Sequence, residues 1–157
     1  MSPGNAELAL GTVQFGLPYG IGGRGGAVPE AEVRAILEFS AEAGIKRLDT
    51  AAAYGTIEAR LGKLAAGLTF DIVSKIPALP TGLDAHDAGR FVTQAMESSQ
   101  RLLGEALHGM LFHRSDDLLA PHGDAVWAAA HEAALRFDID IGAAGSARRG
   151  HGRQRAG

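Results

Sequence analysis

The chain has 157 residues, 46% apolar and 21% charged, which is the size and composition of one globular domain and excludes a disordered polymer. Four arginines and no acid fall within residues 142–157, so a net charge of −3 overall is −7 over residues 1–141, which argues against a nucleic-acid-binding body. There is no cysteine, hence neither a disulfide framework nor a thiolate metal site. No apolar run approaches the roughly 20 residues that span a bilayer, and Met1 to Glu7 lacks the basic and apolar regions of a secretion signal. The expectation is a cytoplasmic protein with no membrane or nucleic-acid partner. The Gly/Arg-rich tail, residues 142–157, reads as a solvated, disordered terminus.

Leu8 to Thr12 predicts a short first strand, followed by a long Gly-rich loop from Gln14 to Val28. A first helix opens at Pro29, a favoured first-turn residue, with Glu30 and Glu32 at the positive end of the helix dipole. Val33, Ile36, Leu37 and Ser40 mark its inner face, and Gly44 is placed to end it in a left-handed conformation. A second strand runs from Lys46 to Thr50. A short helix carries Ile57, Leu61 and Leu64 at i, i+4, i+7, with Gly67 after it. Phe70 to Lys75 is the third strand; Pro77 and Pro80 lie in the loop beyond. A third helix spans about residues 87–103, with apolar pairs Phe91/Val92, Ala95/Met96 and Leu102/Leu103. His108 to Phe112 is the fourth strand. A fourth helix covers about residues 124–136, with Trp127, Ala130 and Ala134 on one face, and Phe137 to Ile141 is a candidate fifth strand. This alternation of strand and helix predicts a parallel sheet of four or five strands in one α/β domain.

Four polar residues stand just after or at the end of successive apolar runs: Asp49, Tyr54, Lys75 and His113. Such ends share a face in a parallel α/β barrel, whose active sites lie at the C-terminal face of the strands. An Asp, a Tyr, a Lys and a His there suit proton donation and not metal binding.

The strings that carry these residues resemble the aldo-keto reductase family. They are Leu10-Gly11-Thr12-Val13-Gln14-Phe15-Gly16, then Leu48-Asp49-Thr50-Ala51 with Tyr54-Gly55, Glu58 and Leu61-Gly62. Ser74-Lys75 and Leu111-Phe112-His113, followed by Asp116-Asp117-Leu118-Leu119, continue the match, most like a bacterial branch. The likeness covers about residues 8–135. It implies the N-terminal half of a (β/α)8 TIM barrel over residues 1–141, since a whole barrel has typically ~250 residues. The tail resembles nothing in the family, and a truncated or frameshifted reading frame is the expectation. It also implies carbonyl reduction, with hydride from NADPH or alternatively NADH and a small-molecule aldehyde or ketone as substrate.

By resemblance, Tyr54 is the general acid. A free phenol has a pKa near ~10, too weak an acid for neutral pH, and a nearby ammonium makes it stronger. Lys75 would supply that ammonium, Asp49 would orient Lys75, and His113 would hydrogen-bond the substrate oxygen. Gly11, Thr12 and Asp49 match positions that approach the nicotinamide end of the cofactor. Read singly, the same residues are ordinary: Asp49 as a loop cap, Tyr54 as a loop aromatic, Lys75 as a solvated charge, His113 as a buried histidine. Glu58, Leu61 and Gly62 read as structural.

Two motifs are decoys. Gly20-Ile21-Gly22-Gly23-Arg24-Gly25 satisfies G-x-G-x-x-G, but its first Gly does not follow a strand directly and its last does not open a helix. His131-Glu132 starts a zinc motif that fails at Leu135, so no metal site is assigned. Three other readings stand beside the reductase: a non-catalytic remnant, a half-barrel that needs a partner and associates through its open sheet edges, and a small Rossmann-type nucleotide-binding protein.

Overall fold

The computed structural model describes residues 8–16 and 28–144. Five parallel strands lie in the order β1 (Ala9–Gly11), β2 (Arg47–Asp49), β3 (Asp71–Ile76), β4 (Leu107–Phe112) and β5 (Asp140–Ala143). Between them run α1 (Val13–Gly16), α2 (Glu30–Glu42), α3 (Ile57–Leu64), α4 (Ala85–Leu103) and α5 (Gly123–Phe137). Sequential parallel strands joined by helices are the expected α/β arrangement, and the sheet stays open, with edges at β1 and β5.

Strand alternation separates two faces. Leu48, Ile72, Ser74, Ile76, Met110 and Phe112 are buried on the helix side. Asp49, Val73, Lys75 and Leu111 are only half-buried on the other side, where a closed barrel would pack its interior layers. The helices bury their apolar stripes on the first face: Val33 and Leu37 from α2, Ile57 and Leu61 from α3, Val92 and Met96 from α4, Val126 and Ala130 from α5.

Local signals act largely as read. Gly44 and Gly67 adopt φ of 83° and 80° just after α2 and α3. Five details differ. Val13–Gly16 forms one helical turn inside the segment read as loop; a turn so short leaves no periodic trace. Pro29 stands one residue before α2, as its cap. The cap of α4 is Asp84, whose side chain accepts from the N–H of Asp87 at 2.8 Å, so the helix begins two residues earlier than read. Trp127 is 42% exposed, because the buried stripe of α5 is Val126, Ala130, Ala133 and Ala134; its ring stacks on Phe112 at 6.3 Å. The fifth strand starts at Asp140, since Asp138 (φ 56°) caps α5 and the N–H of Ile139 closes on Ala134 O. It runs on to Ala143, with Gly142 opposite Leu111 and Ala143 opposite Phe112, so the first two residues assigned to the tail belong to the sheet. The rest of the tail from 145, and the Gly20–Gly25 string, lie outside the described residues.

Candidate active site

Parallel pairing brings the ends of β1 to β4 to one side. Gly11 stands opposite Asp49, Asp49 opposite Val73, Lys75 opposite Leu111 and Ile76 opposite Phe112. His113 follows at once, its N–H donating to Ile76 O at 3.2 Å. Tyr54 is in the loop after β2, its N–H bonded to Ala51 O at 3.0 Å. All four sequence-predicted catalytic residues therefore stand at the C-terminal end of the sheet.

They meet as two pairs. Lys75 Nζ donates to Asp49 Oδ1 at 2.7 Å and to the carbonyl oxygen of Thr50 at 2.9 Å. The Tyr54 and His113 rings lie edge to face, with centroids 6.2 Å apart and planes at 86°. His113 Nδ1 and Thr50 Oγ1 are buried and make no protein hydrogen bond.

Thr12 is fully buried, and both its N–H and its hydroxyl donate to Asp49 O at 3.0 Å. Its hydroxyl proton thus holds the backbone of Asp49. At Gly11 an added Cβ would meet nothing among the described residues within 4 Å. Among the described residues no group of three or more His, Cys, Asp or Glu is placed to hold a metal ion.

Four supporting residues were not read from sequence in these roles. Gly16 lies against the Tyr54 loop, where a Cβ would come within 2.7 Å of Tyr54 O. Arg60 donates to Phe15 O and, at 2.6 Å, to Val28 O, joining the two flanks of the Gly-rich segment. Asp117, 8% exposed, accepts the N–H of Leu79 at 3.1 Å and so ties the loop after β4 to the loop after β3. Glu58 was read as structural; it is buried and accepts hydrogen bonds from Ser74 and Ser99. Of these Gly16, Glu58 and Asp117 had a sequence signal, their place in the motif strings; Arg60, which bonds backbone acceptors such as Phe15 O, had none.

The model of the Aldo/keto reductase family matches residues 7–135. The chain belongs to the aldo/keto reductase family. A structure from Pseudomonas aeruginosa assigned to the aldo-keto reductases shares 27% identity, with a TM-score of 0.70 over 87% of this chain and 54% of its own. A second structure of that description shares 25%, with a TM-score of 0.69 over 87% and 53%. An aldo-keto reductase from Bacillus halodurans in its holo form, at 23% identity and a TM-score of 0.56, shares the fold over 74% and 40%. No curated protein matches the sequence. This aldo/keto reductase chain thus spans about half the length of these solved structures, and its five-stranded sheet is part of a (β/α)8 barrel. No helix among the described residues is long and apolar enough to cross a membrane.

Proposed function

We propose that the chain carries the proton-donating part of a carbonyl reductase site that takes NAD(P)H and an aldehyde or ketone. The observation behind this reading is the pair of contacts at one sheet end: Lys75 on Asp49, and Tyr54 edge to face with His113. Tyr54 gives its phenolic proton to the carbonyl oxygen as the oxygen gains negative charge. The Lys75 ammonium stabilises the phenolate left behind, and Asp49 with Thr50 O keeps that ammonium in place. His113 holds the substrate oxygen near Tyr54. The hydride to the carbonyl carbon is what NAD(P)H supplies when bound. Gly11 and Asp49 would border its nicotinamide end, and Thr12 would act there through the backbone of Asp49.

The residues of β1 to β4 supply proton chemistry but little surface for the rest of the cofactor, so residues 1–157 alone bind NADPH weakly or not at all. A complementing barrel part is needed, from further sequence or another chain. A chimera tests this: residues 8–144 joined to the part of the Pseudomonas aeruginosa barrel they do not match. The chimera should consume NADPH at 340 nm with an aldehyde present, and the chain alone should not. A folded chimera that binds NADPH yet reduces no carbonyl in a broad panel contradicts the proposal.

A further inference from the structure

Glu58 is a carboxylate that this chemistry leaves unused, yet it is only 4% exposed. It stands in the first turn of α3, four residues after Tyr54. Its Oε1 accepts from Ser74 Oγ at 2.6 Å and from Ser99 Oγ at 2.8 Å. Ser74 immediately precedes Lys75 on β3, Ser99 lies on α4, and both are fully buried. One oxygen thus joins the helix that follows Tyr54 to the strand that carries Lys75 and to the next helix.

Burying a carboxylate is costly, and an apolar side chain of similar size avoids that cost. What the carboxylate adds is direction. Apolar packing is non-directional, whereas hydrogen bonds are confined in length and angle. Two hydroxyls converging on one oxygen fix how α3 sits along β3. The backbone makes room for this: at Gly62, one turn beyond Glu58 on α3, a Cβ would overlap the carbonyl oxygen of Leu102 on α4. At Gly16 an added Cβ would fall 2.7 Å from Tyr54 O, so that glycine lies close against the backbone of Tyr54.

We infer that Glu58 is a positioning residue that sets Tyr54 against the sheet bearing Lys75 and His113, acting through the hydroxyls of Ser74 and Ser99. The inference rests on the proton-donating reading of Tyr54 and Lys75. Its test uses no turnover, so failure here is distinguishable from failure of the chimera to reduce a carbonyl.

The full chain has two Tyr and six His, few enough for selective labelling. The readout is the cross-relaxation between the ring protons of Tyr54 and His113. Glu58→Gln keeps an acceptor oxygen and should keep this contact. Glu58→Met combined with Ser74→Ala and Ser99→Ala fills the same space without polar groups. It should fold and unfold cooperatively while losing at least about half of the cross-peak intensity, since that contact then lacks its directional support. Full intensity in the folded apolar variant overturns the inference, and so does loss of the contact in folded Glu58→Gln. Should the triple variant not fold, Ser74→Ala decides, because it cuts the link to β3 and leaves Ser99 on Glu58. Weakened Tyr54–His113 contact supports the inference, and unchanged contact overturns it.

Discussion

Lys75 and Asp49 form an ion pair of 2.7 Å whose two members are unequally wet: the lysine side chain is 12% exposed and the aspartate 45%. That asymmetry predicts an asymmetry of mutation. Asp49→Ala leaves a nearly buried ammonium with Thr50 O as its remaining hydrogen-bond partner. The cost should be about 1–3 kcal/mol, the range for stripping a partner from a buried polar group. Lys75→Met leaves a carboxylate that water reaches, and the loss should stay within about 1 kcal/mol. Urea unfolding of the two variants at one protein concentration measures this. Equal losses would mean that the pair behaves as a surface contact.

The sequence made the four residues of the candidate site legible as strand-end positions and left most of their support hidden, for a physical reason. Asp49, Tyr54, Lys75 and His113 are polar residues placed within or after apolar strands, and the parallel sheet brings such positions to one end without regard to side-chain detail. Lys75 lies one residue short of the end of β3, whose pairing with β4 also shifts register between Ile72 and Val73; no residue pattern announces such a shift. Glu58 was visible as a motif residue, but its partner Ser99 is 41 positions away. Trp127 was grouped on one face with Ala130 and Ala134 because those two alanines belong to both possible stripes of α5. Only the packed position of Val126 separates those stripes.

Two glycines should respond in opposite ways to alanine. At Gly62 the new methyl overlaps Leu102 O, so α3 and α4 must part, at a cost of about 1–3 kcal/mol. At Gly11 the methyl meets nothing within 4 Å, so stability should stay within about 0.5 kcal/mol. In the chimera, however, Gly11→Ala should weaken NADPH binding if the proposed nicotinamide position beside Gly11 holds. Thermal melts and a fluorescence titration check both halves. Unchanged NADPH affinity would remove Gly11 from the cofactor site.

The Glu30 carboxyl is held below its ordinary value of 4.5 by a hydrogen bond from Lys63 and then by the charge of Lys63. A folded pKa below the unfolded one gives stability that is present above the unfolded value and fades as pH falls through the folded one. Lys63→Met should therefore raise the pKa of Glu30 in a carboxyl NMR titration and remove this small acid-side loss. The pair is exposed, so 1 M salt should erase most of the difference. A Glu30 titration identical in the variant would show that Lys63 does not act on it.

The open edges β1 and β5 invite a further strand, and large apolar side chains lie exposed: Leu8 just before β1, Phe39 on α2, Trp127 and Leu135 on α5. The purified chain should associate. Sedimentation equilibrium should give a mass above 16.3 kDa, and the emission of Trp127, the single tryptophan, should shift to the blue as concentration rises. A monodisperse monomer with cooperative unfolding would mean that the edges are covered from within the chain.

In the proposed function Tyr54 donates the proton. The most direct test is the turnover number of the chimera with Tyr54 against Tyr54→Phe, measured as NADPH consumption at saturating aldehyde. Phenylalanine keeps the ring that meets His113 and removes only the hydroxyl. The turnover number should fall at least about 100-fold, the lower range for a general acid, with NADPH affinity unchanged. A Tyr54→Phe chimera that turns over at the parent rate would contradict proton donation by Tyr54.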